Sequence, residues 1–356
     1  MPIKPLEKSN INKILIRATN WVGDAVMTLP ALEAVRENFP SASITLLARP
    51  WVAPVFENHP AVNDLIIYPK HKALIKNLSE TLRIVRVIRA KRYDLAILFQ
   101  NAFEAALLAF LGGVKSRLGF DSDGRGLLLT HPIKRSDEIF SVHQVEYYLS
   151  VLKAAGLKAE SRNPALHIAK KDFIRADDFL KSNGISGNDF LLGLGPGAIF
   201  GNAKRWPAER FAKIGDRAAD TWNAKVIIMG SKKEQEIGAS MASFMRNKPV
   251  DFCGKTSLGE AMGIIGRCNL FVTNDSGLMH VAAALGVPTL AIFGSTDNVA
   301  TGPRGAKTGI IKHDIDCSPC LKPECPTDFK CMLSIEVEEV WNEMEKFLQN
   351  RNEPDK

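Results

Sequence analysis

The sequence predicts an α/β fold made of two units, each a parallel sheet covered on both faces by helices. Three observations carry this. Short apolar runs of strand length alternate with helix-length amphipathic segments along most of the chain, and strands joined by helices at such spacings run parallel. The length, 356 residues at 46% hydrophobic, is enough for two sizeable cores. Between two such arrays, Ser161 to Asp189 mixes charge with Pro164, Gly184 and Gly187 and holds the expected junction. The boundary is therefore placed after residue 184, giving units 1–184 and 185–333. The closing stretch 334–356 contains an amphipathic helix, Ile335 to Leu348, expected to pack back across the junction.

In order, strands are expected at 13–17, 43–48, 65–68, 94–99 and 116–120, with helices at 25–39, 79–91, 101–111 and 142–155. The second unit has strands at 190–195, 224–230, 250–252, 270–273 and 289–293, with helices between them. No short repeat or low-complexity tract is visible. The opening MPIKPLEKSN is polar and lacks the apolar core of a signal peptide. The most apolar long stretch, Leu95 to Val114, is broken by Gln100, Asn101 and Glu104, so it reads as a strand and a buried helix, not a membrane span. A soluble, cytoplasmic protein is the expectation.

Chemistry enters in three separated segments. In FVTNDSGLMHVAAALGVPTLAIFG, Phe271 to Gly294, a strand runs into a polar turn that opens a small-residue helix. Asn274, Asp275 and Ser276 occupy the N-cap and first turn, Gly286 and Pro288 stop the helix, and a buried strand follows. Loops at the carboxyl ends of such strands are where open α/β sheets bind ligands. An ordinary capped helix would need only Asp275 and Ser276; His280, one helical turn beyond Ser276, faces the same way and points to a ligand. In the second segment, FLLGLGPGAIFGNAKRWPAERF from Phe190, a strand and the loop after it carry four glycines, Gly197 among them, before a helix near Pro207. Glycines there let backbone N–H groups approach a phosphate, and Lys204 and Arg205 add full charges. The spacing is neither a dinucleotide fingerprint nor a Walker A loop. One basic loop and one acidic, hydroxylic loop suit a nucleoside diphosphate carrying a sugar. In the third segment, KILIRATNWVGDAVMTLPALEAVRENFP, Asp24 stands at the start of a helix, where a carboxylate either stabilises exposed N–H groups or serves as a general base. Gly23 permits close approach of a ligand, and Trp21 offers a flat face on which a sugar can stack.

Together NWVGDAVMTLPAL, GPGAIFGNAKRWP and TNDSGLMHVAAAL resemble the ADP-heptose:lipopolysaccharide heptosyltransferases, the heptosyltransferase II group above all, from about Lys13 to about Phe293. The resemblance implies a metal-independent inverting glycosyltransferase of the GT-B type, with two Rossmann-like domains facing each other across a cleft. The first would bind the acceptor and the second the ADP-sugar. It implies transfer of L-glycero-D-manno-heptose from ADP-heptose to the heptose of the lipopolysaccharide inner core. By motif position Asp24 is the catalytic base and Lys204 holds the donor phosphates. Asp275, Ser276, Gly277 and His280 match the donor-binding turn, with Asn274 and Gly197 beside them. Glu234, after the strand Val226 to Gly230, takes the place that holds the adenosine ribose. No cofactor is implied for catalysis.

Net charge +7 and pI near 9.0 favour anionic partners, and the basic clusters Lys70-His71-Lys72, Arg83 to Arg92 and Arg117 to Arg125 all lie in the first half. A phosphorylated lipopolysaccharide core at the inner membrane surface would suit them, with peripheral attachment of the protein there. The clusters lack interleaved aromatics and any nucleic-acid motif, so no nucleic acid is expected. Four of the six cysteines, Cys317, Cys320, Cys325 and Cys331, form a C-x2-C-x4-C-x5-C array in a Pro-rich loop. Four thiolates could close a structural zinc site, with an iron–sulfur cluster, two disulfides or free thiols as alternatives. Cys253 and Cys268 read as ordinary buried residues. Competing functions are a heptosyltransferase acting on a different core acceptor, a nucleotide-sugar 2-epimerase, an adenine-nucleotide sensor without turnover, and a metal-dependent glycosyltransferase using Asp121-Ser122-Asp123; that triplet reads better as a surface turn in FDSDGRG.

Overall fold

The computed structural model describes residues 6–71 and 73–349. Lys72 of the first basic cluster and the first five residues of the polar tail lie outside the described residues.

The chain divides into two units, Met1–His167 and Ile168–Lys356. The first runs β1 (Lys13–Arg17), α1 (Val22–Met27), α2 (Leu29–Asn38), β2 (Ser43–Ala48), β3 (Asp64–Ile67), α3 (Leu74–Lys91), β4 (Leu95–Leu98), α4 (Phe103–Leu111), β5 (Ser116–Phe120), β6 (His131–Ile133) and α5 (Gln144–Ala154). Its six strands are all parallel in the order β3-β2-β1-β4-β5-β6. The chain winds outward from β1 to β3, then returns to the other side of β1, so β1 and β4 flank a topological switch point. Strand β4 is buried at every position, as a strand covered on both faces must be.

The second unit repeats the plan: α6 (Lys170–Ser182), β7 (Leu191–Gly195), α7 (Ala208–Trp222), β8 (Lys225–Ile228), α8 (Gln235–Phe244), β9 (Val250–Asp251), α9 (Leu258–Ile265), β10 (Leu270–Asn274), α10 (Gly277–Ala284), β11 (Thr289–Ile292), α11 (Asn298–Thr301), β12 (Thr308–Ile311), α12 (Lys330–Leu333) and α13 (Val337–Gln349). Its parallel order, β12-β11-β10-β7-β8-β9, puts the switch point between β7 and β10. These two strands approach closely because Gly193 and Gly195 face Phe271 and Thr273; a Cβ at either glycine would fall 2.5 Å from those side chains.

Four expectations need correction. The boundary falls at 167/168 instead of 184/185. The supposed junction contains α6, which packs on α9 through Gly259 and Gly263, where a Cβ would come within 2.4 Å of Asp172 and 2.7 Å of Ala176. Its charged surface hid a narrow buried stripe of Asp172, Ala176 and Leu180. The expected helix 25–39 is two helices: Thr28 Oγ1 donates to Ala25 O at 2.7 Å, and Pro30, which has no N–H, sits in the first turn of the next helix. The C-terminal helix buries Val340, Trp341 and Met344 in the second unit's own core, where Trp341 stacks on Trp222 with centroids 4.4 Å apart. Finally, the edge strands β6 and β12 escaped notice, being three and four residues long and carrying Pro132 and Gly309. Stretch Leu95 to Val114 is β4 and α4 as expected, and no helix among the described residues is long and apolar enough to cross a membrane.

Candidate active site

In the second unit the predicted donor residues gather at the carboxyl ends of β7, β8, β10 and β11, around the switch point. Ser276 caps α10, its hydroxyl accepting from Met279 N–H at 3.4 Å, and the first-turn amides of Gly277 and its neighbours open toward the loops. Asp275 does not cap; it is 4% exposed and accepts from Lys204 Nζ at 2.5 Å and from Thr296 Oγ1 at 2.7 Å. Lys204 lies 4.9 Å from the Phe200 ring centroid. Its side chain is largely buried, so the ion pair fixes a cation beside the start of α10. Lys204 and Asp275 are 71 residues apart in sequence, and the structure joins them.

The remaining donor residues divide. Asn274 is fully buried; its Oδ1 accepts from Trp206 N–H and its Nδ2 donates to Pro196 O, so it ties the glycine loop to the start of α7 and acts as a positioning residue. Glu234 is also buried and accepts the Ser231 N–H at 2.7 Å in a capping box before α8. Gly197 faces it: a Cβ there would sit 2.2 Å from Glu234 Oε1, which brings the glycine loop and the proposed ribose-binding carboxylate together. His280 lies on the first turns of α10 and is 6% exposed.

In the first unit Asp24 follows β1 at its own switch point. The helix starts earlier than expected, with Trp21 as the N-cap and Asp24 at the third helical position, so the carboxylate is within the first turn and not the cap. There it still faces the positive end of the helix. Trp21 is 62% exposed, available for a sugar face, and Gly23 is between them in α1. The Tyr148 hydroxyl of α5 donates to Asp24 Oδ1 at 3.1 Å. Burial, then the Asp24 charge, pushes the Tyr148 phenol well above its usual range, so it stays a donor throughout the working pH range. Edge contacts with Phe99 and Tyr147 fix its ring. Sequence reasoning missed Tyr148 and Thr296, since a tyrosine on an amphipathic helix and a threonine after a strand read as core and turn.

The donated hydrogen bond fixes the direction of the Asp24 carboxylate. Tyr148→Phe should let it turn away from the acceptor hydroxyl and lower kcat by roughly tenfold, with ADP affinity unchanged. Parent-like kcat would mean that the tyrosine is packing only.

The basic clusters separate into surface and interior. Arg125 is fully buried, donates to the carbonyls of Phe120 and Gln100, and is pushed down to about 10 by burial. Arg117 likewise donates to the carbonyls of Leu128 and Val114. The third cluster is thus structural, a correction to its reading as an anion-binding patch. Asp121 and Asp123 are exposed in a turn where Asp123 takes φ 52°.

The cysteine loop braces the donor site. Pro323 O accepts from Ala203 N–H at 3.1 Å, and Gly201 must lack a side chain because a Cβ would lie 1.8 Å from that oxygen. Burial raises the Cys331 thiol, with Cys317, Cys325 and Cys320 adding to the shift, so all four sulfurs are within electrostatic reach. Cys325 Sγ accepts from Phe329 N–H at 3.3 Å; desolvation is the largest single influence and raises its pKa, but the bonds from Thr327 and Phe329 together outweigh it and lower the thiol below its ordinary value. All six cysteines are free, and among the described residues no three His, Cys, Asp or Glu side chains converge closely enough to hold a metal. Cys253 and Cys268 are buried, their thiols raised by burial, as expected.

A recess of about 540 Å³ lined by Asn12, Asp94, Lys115 and His131 lies at the amino edge of the first sheet, away from these residues.

Two doubly wound parallel units, one with a lysine and a glycine loop at its switch point and one with a carboxylate at its own, are the architecture of GT-B glycosyltransferases. Residues 81–330 match the model of glycosyltransferase family 9 (heptosyltransferase), and the chain belongs to that family. It is 31% identical over 313 residues to lipopolysaccharide heptosyltransferase 2 of Escherichia coli K12, covering 84% of this chain and 88% of that protein. It is 30% identical over 347 residues to lipooligosaccharide heptosyltransferase 2 of Campylobacter jejuni, covering 95% and 99%. Among solved structures, E. coli ADP-heptose lps heptosyltransferase II matches with TM-score 0.83 at 27% identity, over 96% of this chain and all of that one.

Proposed function

We propose that this glycosyltransferase moves L-glycero-D-manno-heptose from ADP-heptose to the heptose of the lipopolysaccharide inner core. The observation that carries the reading is the near full-length similarity to relatives named heptosyltransferase 2. The acceptor hydroxyl attacks the anomeric carbon from the face opposite ADP, through an oxocarbenium-like transition state. Asp24 takes the acceptor proton, with Tyr148 holding its carboxylate. Lys204 and the first-turn amides of α10 stabilise the charge that grows on the departing diphosphate. Glu234, backed by Gly197, is placed to meet the ribose, and Trp21 with Gly23 the acceptor. One displacement inverts the anomeric centre without a covalent enzyme intermediate. Lys204 supplies the positive charge that a divalent ion provides in other transferases, so the reaction should need no added magnesium or manganese. The product's NMR spectrum and the rate at saturating donor test this: inverted configuration, with the same rate with and without magnesium or manganese, is expected. Retention, or a rate that depends on added magnesium or manganese, would overturn it. The reaction places the protein at the cytoplasmic face of the inner membrane, where a phosphorylated acceptor would be met.

For the cysteine loop the proposal is a structural zinc site of Cys317, Cys320, Cys325 and Cys331. Its support is the C-x2-C spacing, the electrostatic reach of Cys317, Cys320 and Cys325 to Cys331, and the hydrogen bond that the Phe329 N–H donates to Cys325 Sγ. Binding would draw the sulfurs together beyond their present positions. Purified protein should carry close to one zinc per chain. Cys317→Ser with Cys320→Ser should release it and lower the melting temperature before intrinsic chemistry is lost. Because Pro323 backs Gly201 and Ala203, donor KM should be the first kinetic parameter to rise. Metal-free protein with four titratable thiols in the loop and unchanged melting would end the idea.

A further inference from the structure

Helix α3 of the first unit buries Ile84, Val85 and Ile88 against the sheet, yet the face beside these begins with three exposed aliphatic side chains. Ile75 is 83% exposed, Leu78 61% and Leu82 45%. Spaced three and four residues apart, they form one stripe along the first half of the helix. The exposed face of the second half carries Arg83, Arg86 and Arg89. The helix contains one carboxylate, Glu80, and Arg83 pairs with it. Helix α4 lies alongside: Arg89 Nη2 donates to Leu111 O at 2.7 Å, and the Tyr68 hydroxyl links Thr81 of α3 to Glu104 of α4. Phe103 and Phe110 of α4 are also about half exposed.

A row of exposed aliphatic and aromatic side chains bordered by arginines is the pattern of a helix lying in a membrane interface, where the apolar groups enter the acyl boundary and the cations meet anionic headgroups. A nucleic acid would use the arginines and leave the apolar row wet. The position also fits the chemistry. Helix α3 follows β3 and the Asp24 segment follows β1, so both leave the same carboxyl edge of one parallel sheet. We infer that α3, with the exposed aromatics of α4, docks this unit on an anionic phospholipid surface and so presents Asp24 toward a lipid-anchored acceptor. The second half of that statement rests on the proposed function; the docking does not.

The full-length protein is sedimented with vesicles of phosphatidylglycerol and phosphatidylethanolamine, or of phosphatidylcholine alone. Binding to the first should exceed binding to the second, and fall as salt rises. Ile75→Ser with Leu78→Ser and Leu82→Ser should lower partitioning at least tenfold, and Arg86→Glu should lower it several-fold. Both should leave melting and turnover on a delipidated, soluble acceptor near the parent values. Absence of vesicle binding by the parent, or parent-like binding by both variants, would overturn the inference. So would an apolar row that closes a dimer, seen as a parent dimer by light scattering that the serine variant dissociates. Vesicle binding without heptose transfer would leave the docking standing and defeat the functional reading alone.

Discussion

Asp24→Asn should fold, bind ADP within a few-fold of the parent and transfer sugar roughly 10²- to 10⁴-fold more slowly. Asparagine keeps an oxygen to accept the Tyr148 hydroxyl now 3.1 Å from Asp24. Asp24 lies inside the first turn of α1 and Trp21 is the cap, so the exchange removes only the charge at the helix start. Its stability cost should be about 1 kcal/mol or less. What asparagine cannot do is take a proton. Rate and ADP affinity measured on one preparation separate the two roles, and near-normal turnover would reduce Asp24 to a structural residue.

Lys204→Ala should lower donor kcat/KM by about 10²- to 10³-fold, in the range found when one donor to a developing negative charge is removed. Lys204→Arg should retain much more activity because the charge stays. The structure adds a complication: Asp275 is nearly buried and Lys204 is its cation. Removing one member of a buried pair costs about 3–5 kcal/mol, so the alanine variant should also melt earlier. Adding Asp275→Asn should restore melting, since the amide can still meet Thr296, without restoring donor use. Equal donor kinetics for Lys204→Ala and the parent would remove the lysine from the site.

Much of the fold was legible because parallel strands covered on both faces are continuous apolar runs; β1, β2 and β5 begin and end where expected. What escaped lay at edges and seams. Strand β6 is three residues with a proline, and α6 presents mostly charge around a stripe fitted to two glycines of α9. The local geometry of the candidate site was legible where it is set by neighbouring residues, as in the Asp275-Ser276-Gly277 turn and the glycine loop. It was not legible where a role depends on distant partners. Nothing local says that Asn274 clamps Pro196 and Trp206, that Asp275 pairs with Lys204, or that Tyr148 lies 124 residues from the carboxylate it holds. Arg117 and Arg125 show the converse: charge in a sequence read as surface, when backbone carbonyls hold Arg117 half-buried and Arg125 fully inside.

The central claim is that one chain couples cleavage of ADP-heptose to glycosylation of a core heptose. Incubating the protein with ADP-heptose, with and without a heptosylated core acceptor, and following ADP release together with product mass tests it most directly. The account predicts ADP release only when acceptor is present, matched one to one by acceptor gaining a heptose. Consumption of the donor without acceptor, or tight ADP binding with no turnover under either condition, would contradict it.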